Sequence, residues 1–119
     1  MKHYKLCFLG FGNVGRALAR LLVAKSQELR EQYEIEWEIT GVATRRMGWR
    51  SYHNGCDVSA LLANTLTDYQ THNNVEDWLT ATNPDVVFET TSLNPENGQP
   101  AINYLKAALN IGAHAISAN

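Results

Sequence analysis

The sequence predicts an α/β protein built on a doubly wound parallel sheet, of which about four strands are visible. Three observations lead there. A short apolar run, Leu6 to Leu9, breaks into Gly10-Phe11-Gly12-Asn13-Val14-Gly15. Across those glycines the apolar spacing changes from a continuous run to a helical period. The same alternation of short apolar run and helical stretch then recurs to the end of the chain, the signature of strands joined by crossover helices. With 119 residues the chain is expected to form one domain, burying somewhat over ~60% of the surface its unfolded form exposes.

Lys5 to Leu9 is too short and too evenly apolar for a half-exposed strand, so it is read as a central strand covered on both faces. From Asn13 onward Val14, Ala17, Leu18, Leu21, Leu22 and Leu29 recur at helical spacing among arginines and glutamates, predicting one long amphipathic helix. Trp37 to Ala43 is the second strand, and a strand, helix and strand of this length imply a right-handed crossover to a parallel neighbour. Residues 47–55 are irregular in composition and read as a loop, with Trp49 expected to anchor it to the domain in preference to shielding an adenine ring. Asp57 caps a helix carrying Val58, Leu61, Leu62 and Leu66, and Asn74 caps another that Asn83-Pro84 ends. Asp85 to Glu89 is the third strand. Pro100 suits the first turn of a helix whose buried stripe is Ile102, Leu105, Ala108 and Leu109 and which Gly112 stops. Ala113 to Ser117 is the fourth strand, completing a Rossmann-like half-sheet.

Composition removes several classes of function. A net charge of −2 provides no positive field for nucleic acid or an anionic membrane. No segment approaches the ~18 continuous apolar residues of a membrane span, and Cys7 and Cys56 form no C-x-x-C pair, usage that suits a reducing, cytoplasmic setting. His53-x-x-Cys56 beside Asp57 lacks the second ligand pair of a zinc site, so no metal is expected.

The glycine motif lies between strand and helix, where a dinucleotide site requires it. Gly10 permits the tight turn, Gly12 lets a pyrophosphate approach the backbone, and Gly15 lets the helix pack closely. The first-turn amides face the phosphates with the positive end of the helix dipole. After the second strand, where an NAD site places a carboxylate for the ribose hydroxyls, the chain reads Thr44-Arg45-Arg46. A guanidinium offers a 2′-phosphate a fork of charged donors, so NADP is expected over NAD, with Arg45 the contact and Thr44 its hydrogen-bonding neighbour. Thr90, Thr91 and Ser92 end the third strand on the same rim, beyond the carboxyl ends of the strands.

These residues resemble the amino-terminal cofactor-binding domain of homoserine dehydrogenase. The resemblance rests on Gly-Phe-Gly-Asn-Val-Gly, the arginines after the second strand, and Pro100-Ala101 through Ala108-Leu109 and Gly112-Ala113-His114 to Ser117-Ala118-Asn119. It implies an NAD(P)-dependent interconversion of homoserine and aspartate 4-semialdehyde in amino-acid biosynthesis. It also implies roles for individual residues: Gly10 to Gly15 as the pyrophosphate loop, Thr44 to Arg46 at the adenosine end, and Thr90 to Ser92 with Ser117 and Asn119 around the nicotinamide ribose. The family's motif continues from Asn119 into a lysine, and its catalytic residues and dimer contacts belong to a substrate domain. The chain therefore reads as a fragment truncated before that domain, expected to bind the dinucleotide without turning over homoserine. Another semialdehyde or amino-acid dehydrogenase, or a free-standing NADPH-sensing module, are the alternatives.

Overall fold

Leu6, Cys7, Phe8 and Leu9 are each no more than 5% exposed, because their strand lies in the middle of the sheet with helices on both faces. A computed structural model describes residues 1–91 and 100–118. In chain order its elements are β1 (Lys2–Leu9), α1 (Asn13–Tyr33), β2 (Ile35–Thr44), β3 (Gly48–Ser51), α2 (Val58–Ala63), β4 (Gln70–His72), α3 (Val75–Thr82), β5 (Val86–Glu89), α4 (Ala101–Asn110) and β6 (His114–Ser117). The sheet order is β4-β3-β2-β1-β5-β6.

The four expected strands form the parallel part, β2-β1-β5-β6. Two further strands were not expected. β3 folds back antiparallel on β2, and β4 pairs antiparallel with β3 at the edge, so the segment read as a loop over 47–55 is in part a hairpin arm. The turn has Gly48 at a φ of +78°, a backbone conformation that a residue without Cβ adopts at no steric cost.

Alternation along the strands separates two cores. Phe8, Ile39 and Val42 face α1 and α2, with Phe11, Ala19, Tyr52 and Leu61. Cys7, Leu9, Ala43 and Val87 face α3 and α4, with Trp78, Leu79 and Ala108. Asp57 and Asn74 cap α2 and α3 as the sequence predicts, each side chain accepting from backbone amides of the first turn. The buried stripe of α1 differs from the expected one. Gly15 and Ala19 are buried with Leu18, Leu22 and Leu29 beside them, while Val14 and Leu21 are more than half exposed. In α4, Ala101 and Ala108 are the buried residues, and Ile102 and Leu109 face outward.

Between Leu6 and Cys7 the β1–β2 register shifts by one residue on β2. The extra residue is Thr40, whose buried hydroxyl donates to the Thr82 carbonyl at 2.9 Å, which ties the bulge to the end of α3.

Burial pushes the Cys7 thiol up from 9.0 to about 11, and the Cys56 thiol to about 12, with Asp57 adding to the latter. Tyr52 rises from 10.0 to about 12, chiefly through burial and secondarily through Cys56. Above about pH 9 the unfolded chain loses these protons while the folded chain keeps them, so stability falls as pH rises. Urea midpoints are expected to hold from pH 7 to about 8.5 and fall towards pH 11, and Cys56→Ala is expected to flatten the fall. A midpoint rising over pH 9–11 would contradict the burial of these groups.

Candidate cofactor-binding site

At the carboxyl ends of β1, β2 and β5 lies a cavity of about 550 Å³. Its walls come from the end of β1 and the loop that follows it (Leu9, Gly10, Phe11, Gly12), the end of β2 and the next residue (Ala43, Thr44, Arg45), the start of β3 (Gly48, Trp49), the two residues after β5 (Thr90, Thr91), and the N-cap and first turn of α4 (Pro100, Tyr104). Seven of the residues expected from the sequence thus meet around one space.

The three motif glycines have three different physical reasons. Gly10 has a φ of +87°, and a Cβ there would stand 2.9 Å from the Thr91 amide nitrogen. A Cβ at Gly15 would meet Thr90 Oγ1 at 3.1 Å and the Gly10 carbonyl at 3.2 Å, so this glycine lets α1 approach the ends of β1 and β5. Gly12 differs: its φ is −87° and nothing lies within 4 Å of the Cβ position. Packing therefore gives no reason for a glycine there. Gly12 is also the N-cap of α1, which has no side-chain cap, unlike α2 and α3. The N-cap thus offers no side chain to the leading amides of this 21-residue helix, whose partial positive charge favours an anion.

The hydroxyls at the ends of β5 and β6 are engaged with other groups of the protein. Thr90 donates to the Gly10 carbonyl at 3.0 Å and its amide donates to Leu9 at 2.8 Å, which clamps β5 to the turn. Thr91 donates to Glu89 through both amide and hydroxyl, and Ser117 donates to the other Glu89 oxygen at 2.8 Å. Ser117 does not line the cavity.

The remaining expected residues divide as follows. Phe11 lines the cavity, and its ring packs edge-on against Phe8 with centroids 5.4 Å apart. Asn13, Val14 and Gly15 form the first turn of α1 without lining the cavity. Arg45 and Arg46 are both exposed in the β2–β3 turn, and only Arg45 reaches the cavity wall. The Thr44 hydroxyl accepts from the Met47 amide at 2.8 Å, closing that turn. Ser92 and Asn119 lie outside the described residues.

Sequence reasoning did not put Tyr104 or Pro100 on the cavity wall, did not expect the burial of Glu89, and underweighted Trp49. Trp49 packs on Trp78 with ring centroids 5.4 Å apart and meets Tyr104 edge-on at 5.1 Å, so it both anchors β3 and walls the cavity. Its signal was an aromatic residue shortly after the second strand. Glu89 gave no signal, since a glutamate ending a strand is ordinarily solvated.

The family model described as "Homoserine dehydrogenase, NAD binding domain" matches residues 10–119. The chain belongs to this family. It is 30% identical over 127 residues to an NAD(+)-dependent homoserine dehydrogenase of Pseudomonas canavaninivorans, covering 100% of this chain and 36% of that protein. Among solved structures, homoserine dehydrogenase from Thermoplasma acidophilum superposes with a TM-score of 0.77 at 20% identity, over 99% of this chain and 35% of that one. A hyperthermophilic archaeal homoserine dehydrogenase in complex with NADPH superposes with a TM-score of 0.73 at 23% identity, over 98% and 36%. The chain therefore spans about a third of the length of the relatives it matches, and the likeness to the solved structures is one of fold. Among the described residues no helix is long and apolar enough to cross a membrane.

Proposed function

We propose that this chain is the cofactor half of an NAD(P)-dependent homoserine dehydrogenase, with NADP preferred. The observation that carries the reading is Gly12. A residue at an uncapped helix N-terminus, with nothing within 4 Å of its Cβ position, has open space where a pyrophosphate would lie against the backbone. The dinucleotide, when bound, supplies the hydride chemistry. The residues of this chain bind and orient it, and the remaining two thirds of a protein of the relatives' length would hold homoserine or aspartate 4-semialdehyde and the dimer contacts.

Relatives named for NAD and solved with NADPH both occur, so the preference is argued from this chain's own residues. No carboxylate ends β2. Thr44 closes the turn, and Arg45, an exposed residue, stands on the cavity wall, where its guanidinium can meet a 2′-phosphate. Arg45→Asp removes a charge-assisted contact and adds a repulsive charge, so calorimetric titration is expected to show NADPH weakened by roughly 1.5–3 kcal/mol with NADH nearly unchanged. Equal losses for both cofactors would mean that Arg45 does not read the 2′-phosphate.

A further inference from the structure

The buried carboxylate behind the cavity invites a second reading of the site. Glu89 is 1% exposed, an unusual burial for a charged side chain unless donors surround it. One oxygen accepts from the Thr91 amide at 2.8 Å and from the Thr91 hydroxyl, and the other from the Ser117 hydroxyl at 2.8 Å. Thr91 lines the cavity, which puts the carboxylate one residue behind the wall.

The position of Glu89 along the cavity gives this charge a meaning. Arg45 marks the β2 side as the adenosine end, and Gly12 marks the pyrophosphate at the head of α1. The opposite end of a dinucleotide laid across the strand ends then falls over β5 and β6, beside Glu89. That end carries the nicotinamide, a cation when oxidised and neutral once it has accepted a hydride. Accepting from an amide and two hydroxyls favours the ionised form of the Glu89 carboxyl, and that charge attracts the cation and finds no net charge to attract in the reduced ring.

We propose that Glu89 sets the redox-state preference of the site, favouring the oxidised dinucleotide over the reduced one. The proposal rests on the dinucleotide reading above. A role confined to tying β5 to β6 would change both affinities together, whereas a charge acting on the ring changes their ratio.

The test is calorimetric titration of the 119-residue chain and of Glu89→Gln with NADP+ and with NADPH. Glutamine keeps an acceptor for the Thr91 amide, and its NH2 group can donate to the Ser117 hydroxyl, which is able to accept as well as donate. In Glu89→Gln the ratio of NADP+ to NADPH affinity is expected to fall by about fivefold to tenfold. A ratio unchanged within about twofold overturns the proposal, even where both ligands bind more weakly. Should circular dichroism show that Glu89→Gln does not fold, the wild type decides: NADP+ must bind several-fold more tightly than NADPH, and equal binding or the reverse order overturns it. If the wild type binds neither form, the dinucleotide reading itself fails. If it binds both and the ratio does not move, only the role of Glu89 fails.

Discussion

Gly12→Asp is expected to leave the domain as stable as the wild type and to reduce dinucleotide affinity by at least about a hundredfold, or 2.7 kcal/mol. The two effects have separate causes. Aspartate is among the best N-cap residues, and Gly12 is the N-cap of a helix with no side-chain cap, so the new carboxylate gains the leading amides of α1 and costs at most a few tenths of a kcal/mol. Its Cβ enters space with nothing within 4 Å. The same carboxylate then occupies the amides and repels the phosphates that would use them. Thermal denaturation together with cofactor titration checks this. A variant that binds as well as wild type would remove Gly12 from the site, and one that unfolds would show that the glycine is needed by the fold.

Gly41→Ala is expected to do the reverse, costing about 2–3 kcal/mol of stability and lowering Tm by roughly 10 °C or more. A Cβ at Gly41 would stand 2.5 Å from Thr82 Cγ2, 3.0 Å from Cys7 Sγ and 3.0 Å from Trp78 Nε1. None of these neighbours gives way cheaply. Thr82 is buried with its hydroxyl on the Trp78 carbonyl, and Trp78 is 0% exposed with its ring nitrogen donating to the Arg50 carbonyl at 2.8 Å. The strain therefore passes through α3 and β3 together. Urea denaturation of the variant checks it, and a midpoint within error of wild type would mean that α3 can withdraw from the sheet at little cost.

What was legible in the sequence is what is encoded locally. The glycine at each motif position, the caps Asp57 and Asn74, and the apolar runs of the parallel strands all depend on residues within a turn or two of one another. β3 and β4 were not legible because Gly-Trp-Arg-Ser and Gln-Thr-His show no alternation, and their pairing is created by a turn whose one turn-forming residue, Gly48, comes last. The helix α1 carries apolar residues around more than one face, so periodicity alone offered both the stripe through Val14 and Leu21 and the stripe through Leu18 and Leu22. Contact with the sheet selected the second. The position of Arg45 on the cavity wall was legible from its place after β2. The engagement of the Thr90, Thr91 and Ser117 hydroxyls was not, because it depends on Glu89 and on carbonyls some 80 residues away in sequence.

The strand order also has a consequence for how the chain assembles. Residues from Lys2 to His72 form β4-β3-β2-β1, and residues from Val86 to Ser117 form β5-β6. A single seam, β1 to β5, joins these two contiguous pieces, with Leu6 beside Val86 and Leu9 beside Glu89. On a growing chain β1 is therefore made early yet keeps an open edge until β5 emerges, and closing that seam spans the longest loop in the sheet, the kind of contact that forms late in folding. The cofactor cavity straddles this seam, drawing Gly10 from one side and Thr90 and Thr91 from the other. Binding competence should consequently be the last property the chain acquires as it folds and the first it loses when the two pieces part.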